Sequence, residues 1–377
     1  MTVKEMSRIA HRIIARRMRT ETFSRFYGAP VFKQKKDRIT HDDIGDIQRE
    51  LFENGIISSF EQSGDTYYLK LVRAKGAPRS RSIIPNIILF ILTIMTTMVT
   101  GSMLVGHDPF ASWPDFAMGA RYSFALLTIL FAHEMGHYLT ARYYKVNVTL
   151  PYFIPFFVPF MFHPGTMGAF IKMRSSIPDK KALFDIGIAG PLASFVLSTI
   201  FLVWGFAHLP DKEGIFSYIA TIHPLDNKDG LNLVLGNTLI YDWISSLFGG
   251  HRLPMNEVYH FPYIFAGWFG LMVTALNLMP IGQLDGGHIT FSLFGDKARY
   301  IAIGTFIIFI LLNVYLISNF HSFIWILWIF LILIFIRFRH PPTLDDSVHI
   351  DLKRRILGYL SYVIFIISFS PLPFNIY

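Results

Sequence analysis

The stretch "ARYSFALLTILFAHEMGHYLTARYY", residues 120–144, decides how this chain is read. Its first half is apolar enough to belong in lipid, yet it ends in His133, Glu134 and His137. Ionisable groups inside a membrane span are costly and by default mark function. On a helix, positions four apart share a face, about 6 Å apart along the axis. His133 and His137 can therefore offer two imidazoles to one metal ion. Glu134 lies beside that face, within reach of a water at the metal without being a ligand. The bland alternative has the histidines bonding neighbouring helices and Glu134 sitting protonated. It needs three unrelated burials within one helical turn and a half.

Composition supports a membrane setting. The chain has 377 residues, 52% hydrophobic and only 16% charged, whereas about a quarter charged is usual for soluble domains. Several runs approach the roughly 20 residues a helix needs to cross a bilayer. There are no cysteines, so thiolate metal sites, iron–sulfur clusters and disulfides are excluded. Any metal must be held by His and carboxylates.

Charge is uneven. Residues 1–82 carry 17 Lys/Arg against 10 Asp/Glu, out of a net +8 for the whole chain. A basic segment beside the first span is the positive-inside pattern of a cytoplasmic end. No recognition motif accompanies it, so no nucleic-acid partner is expected.

The expected architecture is a polytopic α-helical membrane protein of about seven transmembrane helices. The spans are drawn at 83–105, 117–143, 183–208, 262–282, 298–318, 321–338 and 356–372. With the N-terminus inside, Arg142, Lys145, Lys172, Lys180 and Lys181 fall inside, as do "RFRH" and "DLKRR". Residues 1–82 form a basic N-terminal cytoplasmic region, and 83–377 a membrane-embedded domain. Within the former, residues 1–20 read as a basic amphipathic helix suited to an anionic membrane surface. They lack the apolar core and cleavage site of a signal peptide. A small α+β unit is expected at about 38–76. Its helix runs from an N-cap at Thr40 to Gly55, and its hairpin turns around Ser63, Gly64 and Asp65. "AKGAPRSRS" links it to the first span.

Residues 150–173, "LPYFIPFFVPFMFHPGTMGAFIKM", are apolar but hold four prolines, which prevent one continuous helix. Such backbone survives at membrane depth only when buried or lining a cavity. A re-entrant or interfacial β-hairpin is the expectation. Residues 209–261 read as a mostly polar outer segment, with 231–250 dipping back towards the membrane.

Two histidines leave a metal site open, and a catalytic zinc commonly takes three protein ligands. "ALNLMPIGQLDGGH", residues 275–288, offers Asp285 after the helix-breaking Pro280, with Gly286 and Gly287 permitting close backbone approach. His163 and His288 are expected to cap loops or face water, with His288 a possible partner of the ligand side chains.

"HEMGH" followed by "NLMPIGQLDGG" resembles the site-2 protease family of intramembrane zinc metalloproteases, whose signatures are HExxH and NxxPxxxLDG. Asn277, Pro280, Leu284, Asp285 and Gly286 complete the second signature. The similarity spans about residues 120–295, with a catalytic core of about 117–295. It extends to "PGTMGAFIKM", a GxxGAxI-like strand, and to "GPLA", which in that family starts a helix. The chain most resembles the branch shared by microbes and plastids, without a PDZ-like insert in 209–261. The "GNLR" motif of plant relatives is replaced here by "LVRAKG".

The resemblance implies one zinc ion on His133, His137 and Asp285, with Glu134 as general base and Asn277 near the scissile carbonyl. The implied partners are transmembrane protein substrates and the lipid bilayer. The implied setting is a multi-pass protein of a microbial plasma membrane. A helical substrate must unwind before cleavage, and a strand edge could then hold it by β-addition. Gly168, Ala169, Phe170 and Ile171 are the candidates.

Two other function classes use the same residues. A metal or proton transporter would line a path with the His/Asp cluster, but transporters often carry internal repeats, and none is found. An inactive membrane scaffold has no use for the base Glu134.

Overall fold

The structure, a computed structural model, describes residues 3–16, 22–26, 29–35, 41–54, 56–63, 66–73, 82–159, 163–223, 233–249, 253–335 and 340–376 except 342, 344 and 347. The expected cap at Thr40, stop at Gly55, turn at Gly64 and Asp65, most of "RFRH" and nearly all of the 74–82 linker lie outside these residues.

The polar N-terminal region holds α1 (Val3–Ala15), β1 (Thr22–Phe26), β2 (Ala29–Lys35), α2 (His41–Glu53), β3 (Ile56–Ser63) and β4 (Thr66–Arg73). The strands form one antiparallel sheet in the order β1-β2-β4-β3, with Ser63 opposite Thr66 across the β3–β4 connection. Met6, Ala10, Ile13 and Ile14 of α1, at helical spacing, are buried with Ile44, Ile47 and Leu51 of α2 and with Phe32, Leu69 and Leu71 of the sheet. The expectation that α1 lies on a membrane surface is therefore corrected. Its apolar face packs into protein, and the expected 38–76 unit gains α1, β1 and β2.

Beyond residue 82 the elements are α3 (Ile84–Leu104), α4 (Trp113–Ala117), α5 (Ala120–Tyr143), β5 (Tyr152–Pro155), β6 (Thr166–Phe170) and α6 (Lys180–Ala207). Then come α7 (Lys212–Ile222), β7 (Leu233–Leu235), α8 (Leu239–Leu247), α9 (Pro262–Leu278) and α10 (Asp285–Phe294). The chain ends with α11 (Ala298–Phe320), α12 (Ile326–Phe335), α13 (Leu352–Ser368) and β8 (Phe374–Ile376).

Four segments of the described residues are long and apolar enough to cross a membrane: Ile84–Leu104, Trp113–Tyr143, Lys180–Ala207 and Asp285–Phe320. With that content the chain is a polytopic helical membrane protein. The expected spans at 262–282, 321–338 and 356–372 appear as shorter helices of 17, 10 and 17 residues. The α9 helix stops at Leu278 because Met279 turns to ψ 127 ahead of Pro280, and a residue before proline is driven out of helical geometry.

The α9 helix is nonetheless the centre of the fold. Phe265, Ala266, Trp268 and Leu271 are fully enclosed, and Tyr122 of α5 stacks on Phe265 with ring centroids 5.5 Å apart. Trp268 Nε1 donates to the Gly236 carbonyl at 2.8 Å, just after β7. There β7 pairs antiparallel with the C-terminal β8. Between α3 and α5 the Thr97 and Ser123 hydroxyls meet at 2.7 Å, beside the Phe90–Phe131 ring contact. Hydroxyl bonds between helices are a usual device in lipid, where burying apolar surface gives no advantage over lipid contact.

The span expected at 183–208 is α6, which passes through "GPLA" rather than starting there as the family's pattern has it. Asp179 caps α6 by accepting from the Ala182 amide at 2.8 Å, and the helix runs unbroken from Lys180 to Ala207 with Pro191 inside it. Proline there removes the intrahelical bond to the Gly187 carbonyl, a local cost that flanking contacts must offset.

Candidate metal centre

His133 and His137 lie on one face of α5, and both are buried with Glu134. Asp285 arrives from another part of the chain as the first residue of α10. It gets there because the six residues 279–284 interrupt the helix and bring the start of α10 back against the end of α9. Gly286 permits that close approach: a Cβ on it would stand 2.0 Å from the Leu278 carbonyl oxygen.

Three ligand atoms converge. His133 Nε2 and His137 Nε2 are 3.1 Å apart. Asp285 Oδ2 stands 3.3 Å from the first and 3.2 Å from the second. Tetrahedral ligands bonded to zinc at about 2.0–2.1 Å stand roughly 3.3–3.4 Å from one another, so the spacing fits that ion. The far side of each ring is tied as well. His137 Nδ1 donates to the Ile186 carbonyl at 2.7 Å, leaving its Nε2 with a lone pair. His133 Nδ1 lies 3.1 Å from Ser194 Oγ, which is 2.8 Å from Thr274 Oγ1 and 3.1 Å from the Pro191 carbonyl. Such partners fix the tautomer and orientation of a ligating imidazole. The donor set, two imidazoles and a carboxylate, suits zinc chemistry.

Asn277, near the end of α9, points its Nδ2 at His133 Nε2, 3.3 Å away. It is thus at the centre, within reach of whatever occupies it. The backbone amide of Ile171 is directed at the Glu134 carboxylate.

Ile171 follows β6, which pairs antiparallel with β5 in a two-stranded sheet: Tyr152 faces Phe170, and Phe153 faces Ala169. Among the described residues no strand pairs with the second edge of β6. The Lys172 carbonyl accepts from the Thr149 amide at 3.1 Å, on the side of β5. Strand alternation then turns the Ala169 and Ile171 amides the other way, to the edge that faces Glu134. Gly168 holds φ +95 and has open space where a Cβ would stand.

His163 caps a loop, accepting from the Gly165 amide at 3.1 Å with Thr100 Oγ1 at 3.2 Å. His288 pairs with His340, Nδ1 to Nε2, at 2.6 Å. Its Cβ lies against Gly187 of α6, and the residue is half-buried.

Sequence reasoning missed the role of α6. Gly187, Gly190 and Ser194 recur every three or four residues on one face and meet His288, His137 and His133 in turn. That small-residue stripe was visible as periodicity in "DIGIAGPLAS".

Below the centre, Arg354 of α13 holds Asp185 of α6 through two bonds, Nε to Oδ1 at 2.8 Å and Nη2 to Oδ2 at 2.6 Å. Tyr144, at the end of α5, donates to the same Oδ2 at 2.5 Å. Burial, then the Asp185 hydrogen bond, pushes the Tyr144 phenol up to about 12. The trio joins α5, α6 and α13.

Comparison with known proteins matches residues 121–315 to Peptidase family M50. The chain is 31% identical over 252 residues to "Probable zinc metalloprotease EGY1, chloroplastic" of Oryza sativa subsp. japonica, covering 66% of this chain and 40% of that one. It is 28% identical over 250 residues to "Probable zinc metalloprotease EGY2, chloroplastic" of Oryza sativa subsp. indica, covering 64% and 41%. With the EGY1 protein of Arabidopsis thaliana the identity is 29% over 252 residues, covering 66% and 42%. The chain thus spans about two fifths of the length of these relatives. No solved structure matches it.

Proposed function

The chain belongs to peptidase family M50, and from that premise we propose that it is an intramembrane zinc metalloprotease, hydrolysing peptide bonds in or near transmembrane segments of other membrane proteins. The observation that carries this reading is the meeting of His133, His137 and Asp285, within 3.3 Å of one another and beside Glu134.

His133, His137 and Asp285 hold one zinc ion. Zinc, when bound, supplies a Lewis acid that polarises a carbonyl and lowers the pKa of water towards about 7. Glu134 acts as the general base, taking a proton from the attacking water and returning it to the leaving amine. The Ile171 amide steadies its carboxylate. Asn277 offers an Nδ2–H donor to the carbonyl oxygen as negative charge develops there. An unwound substrate segment lies along the open edge of β6, where the Ala169 amide is free of the ladder to β5. Gly168, Ala169, Phe170 and Ile171 form that rail, and main-chain bonds along it tolerate varied side chains.

In this reading residues 1–82 are a cytoplasmic region and 83–377 the membrane-embedded domain, with a core of about 117–295. About seven helices cross, the four long ones together with α9, α12 and α13, and β5–β6 enters as a re-entrant hairpin. The excess of Lys and Arg in the N-terminal region supports an N-terminus on the cytoplasmic side. The setting proposed is a microbial plasma membrane; the chloroplast address printed for the relatives is the competing one.

Metal analysis tests the reading. About one zinc per chain bound at this centre, kept in Glu134→Gln and lost in Asp285→Ala, is the expected result. Zinc indifferent to Asp285 would remove the third ligand and with it the site.

A further inference from the structure

At the other end of α3 and α5 a second trio converges. His223 is the residue that ends α7. Glu257 and His260 lie at the two ends of a short 3-10 turn just before α9. His223 Nε2 stands 3.2 Å from Glu257 Oε2 and 3.2 Å from His260 Nε2. His260 Nε2 is 3.5 Å from the same carboxylate oxygen. In kind and spacing this trio repeats the one on α5 and α10: two imidazole nitrogens and one carboxylate oxygen at zinc-ligand separations. Roughly 18 Å of helix axis separates the two regions on α5, from Arg121, which shares a cavity with His260, to His133.

Hydrogen bonding alone serves this triangle poorly. His260 Nδ1 donates to the Leu104 carbonyl at the end of α3, so in the neutral ring Nε2 carries a lone pair aimed inward. Glu257 Oε1 accepts from Asn256 Nδ2 at 2.8 Å, leaving Oε2 to face both rings. With Glu257 ionised and both rings neutral, three acceptor-bearing atoms converge with at most one proton among them, on His223 Nε2. A cation at their centre satisfies all three at once. The ligands are also braced, as ligating side chains generally are: one by the Leu104 carbonyl, one by Asn256. Glu257 and His260 keep only 9% and 5% of their side-chain surface exposed, whereas His223 keeps 34% and provides the way in.

We propose that His223, Glu257 and His260 form a second metal site, for zinc or a neighbouring divalent first-row metal, that clamps the end of α7 and the turn before α9 to the end of α3. Imidazole and carboxylate together select such ions over calcium or magnesium, which take oxygen ligands. The site lies apart from the α5–α10 centre and does not depend on the peptidase reading. Its role is structural: it pins the end of α7 to the turn before α9 and the end of α3.

The test is zinc content of the full-length protein in detergent, equilibrated with zinc and washed. Wild type should hold about two ions per chain, and His223→Ala and Glu257→Gln about one each. The double variant His133→Ala/His137→Ala should also keep about one, and added zinc should raise its melting temperature. That rise should vanish when His223→Ala is added. Equal zinc content in wild type, His223→Ala and Glu257→Gln would overturn the proposal and leave a hydrogen-bonded trio. A single ion removed by His223→Ala, yet indifferent to the His133/His137 double change, would support this site and overturn the one on α5.

Discussion

Gly190 of α6 lies against the His137 ring so closely that a Cβ there would stand 2.2 Å from Nε2. The nitrogen it would strike is the one that faces His133 and Asp285. An imidazole is the end of a movable side chain, so Gly190→Ala should displace the ring rather than unfold the protein. The expected outcome is normal membrane accumulation and melting behaviour with zinc at the α5–α10 centre lost. Retained zinc at that centre would show that the ring and backbone can both yield.

Ser194 gives a gentler handle on the same ring pair. Its hydroxyl is 3.1 Å from His133 Nδ1, and removing such a partner typically weakens metal binding by about 10–100-fold. Competition with a metal chelator should place Ser194→Ala in that range, with Thr199→Ala, farther along α6 and bonded only to its own helix, at the wild-type value.

The open edge of β6 makes a prediction that metal analysis is blind to. Proline at 169 removes an amide that points away from β5, so the β5–β6 ladder keeps its bonds. Ala169→Pro should hold zinc as wild type does and lose cleavage. Full cleavage in that variant would rule out main-chain capture along β6.

Arg354 and Asp185 tie α13 to α6 through a two-bond pair that Tyr144 completes from α5. Hydrogen bonds to charged groups of this kind contribute about 1.5–3 kcal/mol when removal leaves a partner unsatisfied. Asp185→Asn should therefore lower the melting temperature in detergent without altering zinc content. An unchanged melting temperature would mean that solvent replaces the pair at no cost.

How much of this was legible beforehand depends on the range of the interaction. His133, Glu134 and His137 could be placed on one helical turn because a 3.6-residue period is a local property. Asp285 could be offered as a third ligand from its place after Pro280, and the family resemblance gave it that role, but the break at 279–284 that delivers it is tertiary. The helix through Pro191 was legible as the apolar run at 183–208, although local propensity disfavours proline there. The cap at Asp179 and contacts with α5 and α9 offset that cost. The apolar face of α1 was legible as an amphipathic stripe, but a stripe does not say whether protein or lipid covers it. The trio of His223, Glu257 and His260 left only the Glu257–His260 spacing in the sequence. His223 joins them through folding alone.

The central claim is that Glu134 serves as the base of a peptidase rather than as a structural carboxylate. It is tested most directly by measuring zinc content and cleavage on the same reconstituted Glu134→Gln sample, with a set of single-span membrane proteins as substrates. Loss of a positioned general base typically costs about 10²–10⁴-fold, so the account predicts cleavage reduced by at least about 100-fold with zinc at the wild-type level. Cleavage at the wild-type rate in zinc-loaded Glu134→Gln would contradict it.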